Sequence, residues 1–336
     1  MRAAFCTGPR TIELRDVATP QIDADQVLVQ VHACGICGSD LHYYGGEASP
    51  PPVCLGHEIS GRLLTPAPGL AAGTAVAVEP LIPCGSCERC EAGEPNLCPA
   101  LRILGTMAPG GLAETVAVPS AALYALPVTV DLDTAMLTEP LAVAVHAAHL
   151  AAIEPDQEVL VLGAGAIGLL AAFAAHCRGG RVTLTARHPH QAAAGSALGI
   201  DRVIEATAEA VRAAGQSRRP DVVLETVGGH ADTLDQAIAL VRPGGRIVTL
   251  GVFTRPIILD PIRFLMKEIH LRASMTYCRS PRPDFLTALG LLAEHGRRLS
   301  QLITHRVPLA EVSRGFAIAA DKSSGAIKVA IDVVRR

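Results

Sequence analysis

The sequence predicts a mixed α/β protein: a doubly wound parallel sheet together with a β-rich domain. Three observations carry this. From about residue 139, short apolar runs alternate with helical stretches, the pattern of parallel strands buried on both faces. The first of these runs turns through a glycine-rich loop into a helix. Upstream of residue 139 and beyond about residue 274 the alternation is missing, and Pro and Gly punctuate strand-like runs instead. A chain of 336 residues suits about two domains of roughly 150 residues each.

Taken in order, residues 27–32 (Val-Leu-Val-Gln-Val-His) and 74–78 (Thr-Ala-Val-Ala-Val) are expected strands, and residues 48–52, ending in three prolines, are a loop. Residues 141–153 are Ala-rich and helical in pattern. Strands are expected at 159–162, 182–185, 202–204, 222–224 and 247–250, with helices at 169–176, 191–198 and 231–241. Pro243-Gly244-Gly245 forms a turn before the last of these strands. After residue 274 the pattern is irregular and closes on a strand-like run over 327–334.

Composition narrows the functional classes. Hydrophobic residues make up 49% and charged residues 18%, which excludes a disordered chain. The net charge is -3, only Lys267, Lys322 and Lys328 are lysines, aromatics are 3% and Trp is absent. Neither a basic footprint nor a base-stacking platform is present, so no nucleic-acid partner is expected. The first residues lack the apolar stretch of a signal peptide. Residues 159–177 carry no charge over 19 positions, long enough to span a bilayer. Gly163, Gly165 and Gly168 near their start mark them instead as a buried strand turning into a buried helix. A soluble, cytoplasmic protein without a membrane partner is the expectation.

Gly163-Ala164-Gly165-Ala166-Ile167-Gly168 follows an expected strand and opens an expected helix. The first glycine allows the tight turn, the second lets the backbone approach a pyrophosphate, and the third lets helix and strand pack closely. Gly163, Gly165, Ala166, Ile167 and Gly168 are therefore candidate dinucleotide contacts, at a helix N-terminus that favours anions; a ligand-free glycine turn is the bland alternative. An NAD site places Asp or Glu about 20 residues on. No Asp or Glu occurs from 169 to 200, and Arg187 stands 19 positions past Gly168, followed by His188. A guanidinium suits a 2′-phosphate, so NADP(H) is favoured over NAD(H), with Arg187 as a solvated surface residue the other reading.

The ten cysteines are unevenly spread. Cys84, Cys87, Cys90 and Cys98 form C-x2-C-x2-C-x7-C, and four thiolates close a tetrahedral structural zinc site. Disulfides or an iron–sulfur cluster are the alternatives. Cys37, His57 and a carboxylate are candidate ligands for a second zinc that keeps one position open. Cys6, Cys34, Cys54, Cys177 and Cys278 fit no ligand spacing and default to buried thiols. His146 and His149 sit on a helix as packing or interface residues.

With these motifs in view, the chain resembles the zinc-dependent medium-chain alcohol dehydrogenases, and within them the polyol branch of sorbitol and L-idonate dehydrogenases. The resemblance runs over Gly35-Ile36-Cys37-Gly38-Ser39-Asp40-Leu41-His42-Tyr43-Tyr44, Gly56-His57-Glu58, the four-Cys lobe, Glu139-Pro140-Leu141-Ala142-Val143-Ala144-Val145-His146 and the dinucleotide loop. It implies a GroES-like β-rich catalytic domain built from 1–138 and 275–336, with the zinc lobe at about 83–99, and a Rossmann domain at 139–274 inserted between the two.

The resemblance also implies roles. Cys37, His57 and Glu58 hold a catalytic zinc. Glu139 is an exchanging ligand or a partner of zinc-bound water, because as a permanent fourth ligand it turns a neutral site negative. Asp40 orients His57. Ser39 takes the substrate proton and passes it through the cofactor ribose to His42. Val227, Leu250, Gly251 and Val252 contact cofactor, and Lys328 matches a basic residue that contacts phosphate. Only 19 residues separate Cys37 from His57, fewer than in the sorbitol-type pattern, and the shortened loop, 45–52, is expected to line the substrate pocket. The expected activity is oxidoreduction of a secondary alcohol or polyol, or the matching ketone, by a homodimer or homotetramer. The rivals are a threonine- or diol-dehydrogenase-like enzyme using NAD(H), a biosynthetic reductase and a non-catalytic cofactor-binding sensor.

Overall fold

Residues 1–334 are described in a computed structural model. The chain divides into two units: Met1–Glu139 with everything from Cys278 onward, and Pro140–Tyr277.

The first unit opens with an antiparallel pair, β1 (Arg2–Gly8) and β2 (Thr11–Asp16). In β3 (Gln26–Gly35), Val27, Val29 and Val31 are buried while Leu28 and Gln30 are less so. That period of two selects one face for the core. There follow α1 (Gly38–Gly45), β4 (Glu58–Leu63), β5 (Ala75–Val78), β6 (Leu81–Ile82), α2 (Glu88–Glu91), β7 (Arg102–Ile103), β8 (Thr115–Pro119), β9 (Leu123–Ala125) and α3 (Leu132–Ala135). The helix α4 (Thr138–Leu150) begins at the boundary and contains the expected Ala-rich stretch.

The second unit alternates strand and helix: β10 (Glu158–Leu162), α5 (Ala166–Cys177), β11 (Arg181–Ala186), α6 (Pro189–Ala197), β12 (Arg202–Glu205), α7 (Ala208–Ser217), β13 (Val222–Glu225), α8 (Thr233–Leu240), β14 (Arg246–Thr249), α9 (Pro261–Lys267) and β15 (His270–Ala273). The sheet is parallel throughout, in the order β12-β11-β10-β13-β14-β15. Strand order reverses between β10 and β13, and in such sheets ligands bind outside the strand C-termini at this point. Leu160, Leu162, Val223, Ile238 and Ile247 share one apolar cluster with α8 and α7. The uncharged 159–177 run is β10 turning into α5, and among the described residues no helix is long and apolar enough to cross a membrane.

The chain then returns to the first unit as α10 (Asp284–Leu299), β16 (Ile303–Pro308), α11 (Val312–Ala320) and β17 (Lys328–Asp332). β16, β17, β3, β4, β5 and β9 form one sheet, with β8 also on β3. Both ends of the chain thus contribute to a single β-rich body, packed around Val29, Val31, Leu55, Ile59, Val76, Phe316 and Ile331.

Several elements are absent from the sequence reading. α7 buries only Val211 and Gly215, one turn apart, so its core face is narrow and made of small residues. β15 is exposed at all four residues. α10 is a missed pattern of another kind: Phe285, Ala288, Leu289 and Leu292 are buried at helical spacing, so the stretch after residue 274 is more regular than expected. β12, expected as a buried strand, is an edge strand exposed at both ends.

Candidate functional site

Strand register assembles the first cluster. Gly35 at the end of β3 pairs with Glu58 at the start of β4, and β17 lies on the other side of β3, with Ala330 opposite Gly35. Cys37 just beyond β3, His57 and Glu58 at β4, and Lys328 at the head of β17 are therefore gathered at neighbouring strand ends. Ligand atoms of Cys37, His57 and Glu58 all lie within 4.8 Å of one another. His57 and Glu58 are buried, Cys37 half-buried.

Cys37 is also the N-cap of α1. Its sulfur accepts the Asp40 N–H, and its own N–H donates to Asp40 Oδ2 at 3.0 Å. The second oxygen, Asp40 Oδ1, faces His57 Nδ1 at 4.0 Å. That is ion-pair range, too long for a hydrogen bond, and it leaves Nε2 as the ring nitrogen facing away from Asp40. Burial pushes the Asp40 carboxyl above its usual range, against the pull of His57 and the Cys37 N–H. His57 is lowered by burial, but Cys37 and Asp40 beside it carry it well above the usual value.

Glu58 is fully buried. Its Oε1 accepts from Lys328 Nζ at 2.5 Å, and the ammonium also donates to Ile36 O at 3.1 Å. Lys328 is 3% exposed. The ammonium is enclosed within the first unit and paired with Glu58, a contact that the phosphate-contact expectation for Lys328 did not include. Burial lowers Lys328, and Glu58 with Cys37 more than offsets it, for a net rise. Glu58 Oε2 has no hydrogen-bond partner among the described residues and lies against Gly35, where a Cβ would sit 1.9 Å away. The charge count is corrected, since Lys328 offsets one of the carboxylates around the site.

Glu139, in the first turn of α4, is buried but outside the 4.8 Å group. Burial pushes its carboxyl up to about 7, moderated by His57. A thiol, an imidazole and a carboxylate, with Glu58 Oε2, His57 Nδ1 and Asp40 Oδ1 buried and unbonded, form a donor set that suits zinc with an open position.

Ser39 and His42 share α1 at a spacing of three, hence one helix face. Gly46 takes a left-handed φ of 78° at the C-cap, which turns the chain so that Glu47 Oε2 meets His42 Nδ1 at 2.6 Å. The sequence reading missed this partner; the signal is a glycine C-cap followed by an acid.

In the lobe, the four cysteine ligand atoms also fall within 4.8 Å of one another. Cys87 and Cys90 sulfurs are 3.5 Å apart and Cys84 and Cys90 3.9 Å. A tetrahedron with Zn–S of about 2.3 Å has edges of about 3.8 Å, whereas a disulfide needs about 2.05 Å. The Ser86 N–H, first among its donors, pulls Cys84 down to about 6, while burial pushes Cys90 up to about 11. Gly93 O accepts the Arg279 and Ser280 N–H groups at 2.8 and 3.0 Å, tying the lobe to the returning chain. Cys6, Cys34 and Cys54 are buried as expected, but Cys177 is exposed and Cys278 half-buried, because they end α5 and begin the return segment rather than sit in a core.

In the second unit, Gly163 has a φ of 102° and Gly168 leaves only 2.0 Å between an added Cβ and Gly163 O, while Gly165 faces open space at the N-cap of α5. A tight turn, a close helix and an unobstructed approach suit a pyrophosphate. Arg187 is exposed beyond β11. The His188 ring caps α6 with Gln191 and stacks on His190 at 5.4 Å. Val227 and Val252 are 44% and 61% exposed, with Leu250 and Gly251 half-buried between β14 and Val252.

Residues 23–128 match the alcohol dehydrogenase GroES-like domain and residues 166–294 the zinc-binding dehydrogenase family. The chain is 33% identical to sorbitol dehydrogenase of Bacillus subtilis, over 75% of each protein. Among solved structures it is similar to a putative zinc-binding dehydrogenase from Sinorhizobium meliloti bound to NADP, with a TM-score of 0.89, 31% identity and 99% of both chains covered. It is also similar to an Escherichia coli CFT073 protein described as a short chain alcohol dehydrogenase complexed with NADH, with a TM-score of 0.91, 26% identity and 99% of both chains covered.

Proposed function

The chain belongs to the zinc-binding alcohol dehydrogenase family, a GroES-like domain with a Rossmann domain, and on that footing we propose that it transfers a hydride between NADP(H) and a secondary alcohol or polyol, or the matching ketone. Zinc-dependent oxidoreduction of the alcohol and polyol dehydrogenase type is the family's chemistry; the cofactor preference, the residue roles and the substrate class are the proposal. The observation that carries it is the Cys37, His57 and Glu58 donor set; Glu139, buried and within electrostatic reach of His57, is the exchanging ligand of this reading.

Zinc there supplies Lewis acidity that eases loss of a hydroxyl proton, and the nicotinamide supplies the hydride acceptor. The residues do the rest. Ser39 takes the substrate proton, and His42, steadied by Glu47, carries it toward solvent. Asp40 and the α1 N-terminus fix Cys37. Gly163, Gly165, Ala166, Ile167 and Gly168 seat the pyrophosphate, and Val227, Leu250, Gly251 and Val252 make further contacts to the cofactor. Arg187, with no acid between 169 and 200, supports the 2′-phosphate; the 45–52 loop lines the substrate side. Cys84, Cys87, Cys90 and Cys98 hold a structural zinc. Cysteines that form no disulfide among the described residues favour a cytoplasmic protein. The exposed edge β15, with Ile262, Leu265 and Met266 of α9 at 67%, 76% and 76% exposure, favours a homo-oligomer.

A polyol and ketose panel with both cofactors tests the reading, alongside elemental analysis. Two zinc atoms per chain and a higher kcat/KM with the phosphorylated cofactor are expected. Equal or better turnover with NAD(H) overturns the cofactor assignment. A threonine or diol substrate overturns the polyol assignment, and bound cofactor without turnover on any carbonyl indicates a sensor.

A further inference from the structure

Glu225 ends β13, beside the strand that leads into the dinucleotide turn: its register partner is Leu162, next to Gly163. It is fully buried, an expensive place for a carboxylate unless its oxygens are used. Oε1 accepts three donors: Val227 N–H at 2.8 Å, Gly228 N–H at 3.0 Å and Thr233 Oγ1 at 2.7 Å. Oε2 has no hydrogen-bond partner among the described residues and faces Gly251, where a Cβ would lie 2.5 Å away. The Glu225 carbonyl accepts the Leu250 and Gly251 N–H groups at 2.8 and 3.1 Å.

One residue thus grips two loops. Gly228 and Gly229 have left-handed φ values of 59° and 61°, and Gly229 N–H donates to Val252 O at 2.8 Å. Val227 in turn presses on the dinucleotide turn, its Cγ2 2.7 Å from where a Gly163 Cβ would stand. Nothing about the first unit or the metal cluster requires a buried acid here.

We propose that Glu225 is a positioning residue for the nicotinamide half of the cofactor, its carboxylate setting the loop through Val227–Gly229 and, across Gly251, the loop that presents Val252. The inference rests on the dinucleotide reading of the second unit. It assigns Glu225 no part in the adenosine half, where Arg187 lies at the end of a different strand.

The test compares whole and fragment ligands. Absence of Trp leaves NADPH and NADH fluorescence free of indole energy transfer for direct titration; 2′,5′-ADP and 5′-AMP bind by displacement or calorimetry. Glu225→Leu is expected to weaken the reduced dinucleotide about tenfold or more, with the adenosine fragment changed less than twofold. Hydrogen exchange at the Val227 and Gly228 amides should rise in the same variant without ligand. Glu225→Gln, whose amide oxygen can still accept the three donors, should restore dinucleotide affinity to within about threefold. If Glu225→Leu does not fold, Gly251→Ala and Thr233→Val report on the two oxygens separately and should show the same selective loss. Parallel loss of dinucleotide and fragment, no loss of either, or a Gln variant as poor as Leu overturns the proposal. A wild-type chain that binds no reduced dinucleotide at all refutes the cofactor reading and this inference with it, and so is distinguishable from a failure of positioning alone.

Discussion

Replacing Lys328 by Met separates two accounts of one lysine. The ammonium lies 2.5 Å from Glu58 Oε1 and 3.1 Å from Ile36 O, with the Lys328 and Glu58 side chains 3% and 0% exposed. Met keeps most of the volume and removes the charge. Glu58 is then a buried carboxylate with neither oxygen bonded, because Oε2 has no hydrogen-bond partner among the described residues to begin with. Breaking one side of a buried pair costs about 3–5 kcal/mol. A divalent cation among Cys37, His57 and Glu58 is the other available source of compensation, so the loss should fall most heavily on chelated protein. If the cation recovers half of a loss of about 4 kcal/mol, zinc binding tightens by about 2 kcal/mol, roughly 30-fold. Urea unfolding with and without chelator measures the first quantity. The chelator concentration at which turnover is lost measures the second, and 2′,5′-ADP affinity serves as the control. The reasoning is refuted if the unfolding midpoint stays where it is while NADPH and 2′,5′-ADP affinity drop together, since that places the ammonium on a phosphate.

Three further outcomes follow from the same geometry. Arg187→Gln should lower kcat/KM for NADPH by about 10- to 100-fold, the range of lost charge-assisted hydrogen bonds, and leave NADH within twofold; equal losses with both cofactors discard Arg187 as a 2′-phosphate group. His42→Gln should change the pH–rate profile, and an unaltered profile removes His42 from the proton path. Asp221 is raised by burial, but Arg242 at 2.6 Å and the Glu158 N–H at 2.8 Å win and hold its carboxyl below the usual range. A depressed folded value gives stability that is present above the unfolded aspartate value of about 3.9 and lost as pH falls through the folded one. Asp221→Asn should therefore cost about 1 kcal/mol near neutral pH, discounted for the 40% exposure of Arg242, and the two urea midpoints should converge in acid; a gap that persists there contradicts the linkage.

The legible parts of the molecule were those whose chemistry is local in the chain. The lobe cysteines span 15 residues and the glycine turn six, so spacing alone states which atoms meet. Five of the six strands of the parallel sheet were visible because each is a short run of β-forming residues bounded by turns. An edge strand exposed along its length, such as β15, carries no such pattern, and a helix with a narrow face of small residues, such as α7, carries little apolar mass. Glu47 and Glu225 were missed although each stands near a glycine turn, because an acid beside a turn is ordinarily solvated and only folding buries or pairs it.

Residue types and their order along the chain thus decided the fold class, the four-cysteine donor set and the lack of an acid near Arg187. Tertiary structure alone decided what Lys328 and Glu225 touch. Lys328 and Glu58 are 270 positions apart, and they meet only because β17 and β4 flank β3 in a register that no local pattern encodes. A buried charge acts on whatever the fold brings within a few ångströms, and at that range the partner, not the residue type, determines the role.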